Sequence, residues 1–349
     1  MNTILVTGGT GFLGRTIVES LLKQGDRVRY TVRAASPAIC HHQSDTEIVV
    51  GDLLDEEFVK RAIRGVDAIV HTAAKLGGWG PKELFLSNNV VSTENLLQAA
   101  APSVSRIVFV SSATSYGRQP GTVITERTPT RAERDPYCSS KRECEQLVRL
   151  HCDRYGTLGT ILRPAIIFGP YDRRFFIPIL QHMQNGTMVA IGKKNQGPPL
   201  VFAADVARFV GCVLKHQTMP FEIFNLCSPE KISWEEIVRF LGKNVDLSTS
   251  LPRIPYGIAY SLAAVMELLW KIARSSHPPM LTRFLVGLIG QDYSFDCTKA
   301  LSVPGFDGFT PHATSFEKTL EWALSEQGVF HRKQAMSRKE AIHEFAPAA

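Results

Sequence analysis

The chain has 349 residues, of which 44% are hydrophobic and 21% charged, as in a globular protein with one large α/β domain and a smaller lobe. Its formal charge is +6, but the Lys and Arg residues are scattered, so no nucleic-acid partner is expected. Seven cysteines, an odd number without a CxxC pair, favour a reduced cytoplasm, and no metal site is predicted.

Short apolar runs alternate with stretches of helical spacing through the first 160 residues. Such alternation predicts parallel βαβ units wound on both faces of one sheet, an α/β doubly wound fold. The predicted strands are Thr3–Thr7, Asp26–Arg33, Glu47–Val50, Asp67–His71, Arg106–Ser111 and Thr160–Pro164; the predicted helices are Phe12–Lys23, one from about Asp55, Lys82–Ala100 and one that carries Tyr137.

The alternation loosens after Gly169-Pro170, where prolines and glycines become frequent. We therefore expect a dinucleotide-binding domain over 1–170 and a smaller substrate lobe over 171–330, with 331–349 as a flexible basic tail. A further apolar run at 221–226 predicts a strand that completes the sheet, which would interleave the lobes.

The longest apolar stretch, Ile254–Trp270, contains Glu267 and ends at Lys271, so it is too short and too interrupted for a membrane span. Two interpretations stay open: a buried or lid helix, and an amphipathic segment that rests on a membrane surface through 254–290. The first residues run directly into a glycine-rich turn, and no signal peptide is expected.

Gly8, Gly11 and Gly14 lie between the first strand and the first helix. Small residues let the backbone approach a pyrophosphate, and the N-terminus of the following helix, at Phe12 and Leu13, offers unpaired N–H groups and partial positive charge. This context predicts a dinucleotide site.

The second predicted strand ends in Arg33 and has no carboxylate for a ribose 2′-hydroxyl before Asp45. A guanidinium can donate two hydrogen bonds to a 2′-phosphate, so the sequence predicts that NADP(H) is preferred over NAD(H). Asp52 and Leu53 are expected at the adenine edge. Ala73 and Ala74 leave room for the middle of the cofactor.

Tyr137 and Lys141 lie four residues apart on one predicted helix face, 25 residues beyond Ser112 at a strand end. A tyrosine with an ordinary pKa of about 10 can donate its proton to an alkoxide. We expect Lys141 and the oxidised nicotinamide to lower that pKa by about three units. Ser112 would hold the substrate oxygen. These groups predict hydride chemistry on a carbonyl or alcohol.

The chain resembles the extended short-chain dehydrogenase/reductases over nearly its whole length. The resembling stretches are Thr7–Gly14, His71–Ala74, Asn89, Ser111–Gly117, Tyr137–Lys141 and Arg163–Pro170. The resemblance implies a Rossmann fold, Tyr137 as acid/base with Lys141 as its partner and ribose ligand, and Ser112 as the substrate-oxygen donor. It also implies Asn89 as a supporting polar group and Pro164 and Ile167 as cofactor contacts.

Features within this family favour a hydrophobic substrate. Ala113-Thr114 replaces the acid pair of dehydratases, Pro198 replaces the diphosphate-binding arginine of epimerases, and Ala165–Ile167 lacks the expected asparagine. With the glycine-flanked Trp79 as a predicted substrate wall, the pattern resembles the 3β-hydroxysteroid dehydrogenase/isomerase branch. Within that branch it is most similar to bacterial 2-alkyl-3-oxoalkanoate reductases.

The resemblance thus implies a cytoplasmic NAD(P)-dependent oxidoreductase that interconverts a 3-keto and a 3-hydroxy group on a small hydrophobic ketone or alcohol. A sugar-nucleotide epimerase and a non-catalytic NADP(H)-binding scaffold or sensor are the alternatives. Peripheral contact with the inner membrane face, homodimer formation, and the choice between a sterol and a long-chain 3-oxo acid stay open.

Overall fold

A computed structural model describes residues 3–33, 45–101, 103–131, 135–216 and 218–325. Cys40 and the predicted tail 331–349 lie outside these ranges. Seven parallel strands form the central sheet. They are β1 (Thr3–Thr7), β2 (Arg27–Val32), β3 (Thr46–Val50), β4 (Ala68–His71), β5 (Arg106–Val110), β7 (Leu158–Pro164) and β11 (Glu222–Leu226).

Three pairs of short parallel strands accompany this sheet. They are β6 (Val123–Ile124) with β13 (Ser294–Phe295), β8 (Ile166–Phe168) with β10 (Leu200–Phe202), and β9 (Ala190–Ile191) with β12 (Arg253–Ile254). The helices are α1 (Phe12–Lys23), α2 (Glu56–Ile63), α3 (Lys82–Phe85), α4 (Ser92–Ala100), α5 (Pro136–Tyr155), α6 (Phe176–Gln184), α7 (Ala203–Lys215), α8 (Trp234–Val245), α9 (Tyr256–Ile272), α10 (Arg283–Ile289), α11 (Thr298–Leu301) and α12 (His312–Leu324).

The sheet has the strand order β11-β7-β5-β4-β1-β2-β3, and each neighbouring pair is parallel. The predicted doubly wound Rossmann fold is confirmed. The chain direction across the sheet reverses between β1 and β4, which are neighbours although β2 and β3 separate them in sequence. Ligands of such sheets bind outside the carboxyl ends of the strands at this switch point.

Both faces of the sheet are covered, which is why its strands are nearly continuous apolar runs. On one face, side chains such as Val6 and Tyr30 pack with Ile17 of α1 and Phe209 of α7. The other face packs on α2, α4 and α5, with Val148 among the buried residues. The tight packing on both faces fixes where the strand ends, and therefore the site, are placed.

The helix predicted over Lys82–Ala100 is helical throughout but is not a regular α-helix along its whole length. A π-helical turn, Leu86–Val91, separates α3 from α4. At its centre the carbonyl oxygen of Asn89 accepts hydrogen bonds from Thr93 Oγ1 (2.6 Å) and Cys144 Sγ (3.3 Å). Side-chain donors thus enter the helical ladder, which is a common cause of such widened turns and one that residue spacing alone does not reveal.

The second half of the chain adds its own apolar cluster, in which Phe168 and Phe176 pack with Trp234 and Phe316. Helices α9 and α10 pack on each other over a small separate group that includes Ala263 and Val286. Among the described residues, no helix combines the length and the apolarity needed to cross a bilayer.

Candidate active site

The glycine turn between β1 and α1 has a backbone that leaves no room for side chains. Gly8 has φ +69°, and a Cβ there would lie 2.9 Å from Ala73 Cα. A Cβ on Gly14 would lie 2.2 Å from the Gly8 carbonyl oxygen, and Gly11 N donates to that same oxygen at 2.9 Å. The turn and the start of α1 therefore form a cradle that fits a dinucleotide pyrophosphate.

A single cleft of about 2910 Å³ runs across the carboxyl ends of the strands. It brings together residues that the sequence analysis drew from separate parts of the chain. The predicted residues that line it are Gly8, Gly11, Phe12, Leu13, Gly14, Arg33, Asp52, Leu53, Ala73, Ala74, Trp79, Ser112, Tyr137, Lys141, Pro164 and Ile167. Asn89, predicted as a supporting group, lies behind the lining.

Two predicted adenosine-end residues lie at the cleft rim. The Arg33 side chain follows directly after β2 and is exposed. Asp52 is also exposed, and its carboxylate accepts a hydrogen bond from Leu54 N at 3.0 Å, while Leu53 is buried. The rim thus presents one guanidinium and one carboxylate at the end of the cleft formed by β2 and β3.

His71, at the end of β4, connects the end of β1 to helix α4 through two threonine side chains. Its Nδ1 lies 2.6 Å from Thr7 Oγ1 and its Nε2 lies 2.9 Å from Thr93 Oγ1. Thr7 Oγ1 also accepts hydrogen bonds from Thr72 N and Ala73 N, both at 3.2 Å. Burial, together with the charge of Lys141, lowers the pKa of His71 to about 3, so this imidazole is neutral.

Tyr137 lies in the first turn of α5, where Asp135 caps the helix by accepting from Tyr137 N (2.9 Å) and Cys138 N (3.1 Å). Burial raises the pKa of Tyr137 well above its usual range, and the Ser112 hydroxyl, within hydrogen-bonding reach of the phenol, acts in the opposite direction. Without a cofactor the pKa of Tyr137 is thus raised, and the predicted lowering by Lys141 together with the oxidised nicotinamide stays a prediction. Burial outweighs the opposing effects of Ser112 and Arg174 on this pKa, and the phenol is a proton donor at neutral pH.

Lys141 is one turn further along α5 and fully enclosed. Its Nζ donates to the carbonyl oxygen of Val110 at 2.7 Å and lies 4.7 Å from the ring centre of Phe109. Burial lowers its pKa to about 8, although Cys144 and Glu145 act to raise it. The hydrogen bond to Val110 fixes the ammonium at the end of β5, beside Ser112, on the cleft wall.

Asn89 connects the cleft loop to the catalytic helix. Its Nδ2 donates to Lys75 O (3.2 Å) and Ser140 Oγ (2.9 Å), and its Oδ1 accepts from Lys75 N (2.7 Å). Ser140 Oγ in turn donates to Tyr137 O at 2.8 Å. Asn89 is thus linked to the backbone of Tyr137 through Ser140, and its supporting role stays a prediction.

A buried ion pair under the site was missed by the sequence analysis. Glu145 accepts from Arg163 Nε (3.0 Å) and from its terminal nitrogen (2.5 Å), and it also accepts from the Ser111 hydroxyl. Arg163 lies over the ring of Tyr116 at 4.5 Å. The carboxylate four residues after Lys141 was the available signal, since that spacing places it on the same helix face.

Two further cleft residues come from beyond the Rossmann half. The Phe284 ring meets Tyr137 edge-on with a centroid distance of 6.3 Å. Exposed Arg174 lines the cleft, and its charge acts to lower the pKa of Tyr137. Neither residue was predicted as part of the site. Their approach to Tyr137 depends on how the second lobe folds back.

This arrangement puts a dinucleotide cradle and an enclosed proton donor on one cleft, which defines an enzyme that uses NAD(P). Residues 4–227 match the NAD dependent epimerase/dehydratase family, and the chain belongs to that family.

Relatives within the family include reductases and dehydrogenases. A 2-alkyl-3-oxoalkanoate reductase of Stenotrophomonas maltophilia is 29% identical over 292 residues, 81% of this chain and 87% of that protein. A 3-beta-hydroxysteroid dehydrogenase of Mycolicibacterium neoaurum is 34% identical over 206 residues, 56% of each chain. The predicted resemblance is confirmed, and the chain is an oxidoreductase-type enzyme.

A solved structure described as MoeE5 in complex with UDP-glucose and NAD superposes with a TM-score of 0.74. It is 22% identical and covers 92% of this chain and 98% of that one. At this identity the likeness concerns the fold.

Proposed function

We propose that this enzyme interconverts a 3-keto and a 3-hydroxy group on a hydrophobic substrate with NADP(H). The observation that carries the proposal is the Tyr137 phenol, enclosed beside Ser112 and Lys141 on the cleft that also contains the glycine cradle. A proton donor and a dinucleotide cradle on one cleft support reduction of a carbonyl.

The bound nicotinamide would supply or accept the hydride. Tyr137 donates the phenolic proton to the developing alkoxide in reduction and removes it in oxidation. Lys141, held by Val110 O at 2.7 Å, stabilises the phenolate by its charge. The Ser112 hydroxyl, which now accepts from Thr114 Oγ1 at 2.9 Å, is free to donate its own proton to the substrate oxygen.

The substrate end of the cleft supports an apolar ligand. Trp79, Ile166 and Phe284 line it, and Pro198 stands in the sequence where epimerases have their diphosphate-binding arginine. A sugar nucleotide would lack the charge-assisted hydrogen bonds of that arginine. The reductase named among the relatives acts on a 2-alkyl-3-oxoalkanoate, which supports the same substrate class.

The preference for NADP(H) rests on Arg33. Its exposed guanidinium lies on the cleft rim after β2, where an NAD site would place a carboxylate for the ribose 2′-hydroxyl. A fork of N–H donors at that point favours a 2′-phosphate.

The test is NADPH oxidation with a panel of 3-oxo acids and 3-ketosteroids of increasing chain length or ring number. We expect Tyr137→Phe to lower turnover by about 10²- to 10⁴-fold. Tyr155→Phe, on the exposed end of the same helix, should leave turnover unchanged. Equal turnover by wild type and Tyr137→Phe would refute the proposal.

Absence of turnover on every ketone would favour the scaffold alternative. The epimerase alternative is tested separately by thermal shift with UDP-sugars, where a large rise in melting temperature would favour it over the reductase.

A further inference from the structure

Helix α9 presents an apolar face to solvent. Six of its hydrophobic side chains are between 48% and 70% exposed, and only Ala259, Ala263 and Glu267 of this helix are buried. The six, which we call the α9 surface, are Ile258, Leu262, Val265, Leu268, Leu269 and Ile272.

The α9 surface is a continuous stripe. At about 100° per residue, its six positions fall within roughly a third of the helix circumference. Exposed hydrophobic residues elsewhere in the described chain, such as Val50, Leu150 and Leu301, lie on different elements. Single exposed residues are ordinary, but a contiguous apolar face of this length marks a surface that contacts something.

The charges around the α9 surface are positive. Between Leu251 and Gln291 the sequence has four Lys or Arg residues and one acid, Glu267, and of the four Arg253 is paired with Glu235. Glu267 is buried and paired with Arg283 at 2.7 Å. Lys271 and Arg274, at the C-terminal end of α9, are both exposed. An apolar stripe with basic residues beside it is the pattern of a helix that lies in the plane of an anionic membrane surface.

The same helix is a wall of the substrate cleft. Tyr260, Glu267 and Lys271 line the cleft, whereas none of the six residues of the α9 surface does. Met280, which is 76% exposed, lies on the cleft lining just beyond the helix. Any surface that covered the outer face of α9 would therefore lie close to the cleft rim.

We propose that the α9 surface docks this enzyme in the plane of an anionic phospholipid bilayer, with the cleft rim near the lipid. The apolar stripe would enter the headgroup–acyl boundary, and Lys271 and Arg274 would contact lipid phosphates. The docking surface stands independently of the proposed function. The consequence that a hydrophobic substrate reaches the cleft from the bilayer rests on that function.

The experiment is co-sedimentation of the full chain with vesicles of phosphatidylcholine alone or mixed with phosphatidylglycerol, without substrate or cofactor. We expect binding to the anionic vesicles. Leu262→Ser/Leu269→Ser should weaken this binding more than tenfold, because each leucine inserts apolar area into the interface. The matched variant Leu150→Ser/Leu301→Ser, which removes two exposed leucines elsewhere, should bind as wild type does.

The charges are tested by Lys271→Gln/Arg274→Gln, which should reduce the preference for anionic vesicles by about fivefold for each charge. Three results would overturn the proposal: vesicle binding that Leu262→Ser/Leu269→Ser leaves intact, equal loss in the matched control, or self-association without vesicles that the same double variant abolishes. The last would assign the surface to a second copy of the chain.

Turnover of a short water-soluble ketone separates this inference from the proposed function. Leu262→Ser/Leu269→Ser should retain it, because neither residue lines the cleft. If wild type turns over no ketone but binds vesicles, the function fails and the docking surface stands.

Discussion

The two ends of the cleft differ in whether backbone or side chains form most of the site. The cofactor end is mostly backbone: a turn closed by Gly11 N to Gly8 O at 2.9 Å, with strand ends held by Thr7 and His71. The substrate end is made of side chains from distant segments, such as Trp79 and Phe284. Phe284 meets Tyr137 only when the second lobe folds. A backbone site tolerates few changes, whereas a side-chain site can change its ligand by single substitutions.

Among these substitutions, Gly14→Ala should have the largest effect, because it disrupts the cofactor end of the cleft. The added Cβ would lie 2.2 Å from the Gly8 carbonyl oxygen, so the turn must open. We expect NADPH affinity, measured by fluorescence titration, to fall more than 100-fold, because the N–H groups of the cradle would no longer point at one pyrophosphate. Gly257→Ala, where no atom lies within 4 Å, is the control. Unchanged affinity in Gly14→Ala would show that the cradle does not depend on the close approach.

Arg33→Ala tests whether a single side chain sets the preference for NADPH over NADH at a site that is otherwise formed mostly by backbone. Loss of the charge-assisted hydrogen bonds to the 2′-phosphate should weaken NADPH binding by about 10- to 100-fold and leave NADH binding unchanged. Isothermal titration with both nucleotides measures the ratio. Arg27→Ala, at the exposed start of the same strand, serves as the matched variant. A ratio unaffected by Arg33→Ala would assign the preference to another residue.

His71 makes the cofactor end sensitive to acid. Its pKa is about 3 when folded and near 6.5 when unfolded, so the unfolded state binds the extra proton between these values and stability falls as the pH drops. From pH 6.5 to 4.5 we expect a loss of about 2 kcal/mol from this group. Urea unfolding of wild type and His71→Asn at both pH values measures it; exposed His277→Asn is the control. Equal pH dependence in His71→Asn and wild type would contradict the assignment.

Trp79→Ala should affect the substrate end alone. We expect KM for a long-chain ketone to rise about tenfold through lost aromatic contact, with NADPH affinity unchanged. Steady-state kinetics with Trp79→Phe as a partial rescue checks it. A parallel loss of NADPH binding would mean that the two ends are not separable.

The same contrast explains what the sequence could predict. Strand and helix alternation, Gly8–Gly14 and the pair Tyr137/Lys141 are local patterns, so the fold and much of the predicted cleft lining followed from spacing. The approach of Arg174 and Phe284 to Tyr137 and the pair Glu145–Arg163 depend on contacts between distant segments. Competition between burial and charge at Tyr137 could not be judged without knowing how deeply the phenol lies.

The π turn at Leu86–Val91 has a consequence for insertions and deletions in this enzyme. It holds one residue more than a regular helix would over the same rise. Deleting one residue there would restore a regular ladder but rotate α4 by about 100° relative to α3. Leu96 and Leu97, now buried, would then turn away from the sheet. The extra residue thus keeps the buried face of α4 turned towards the sheet. The number of residues in this segment is therefore constrained more tightly than their identity.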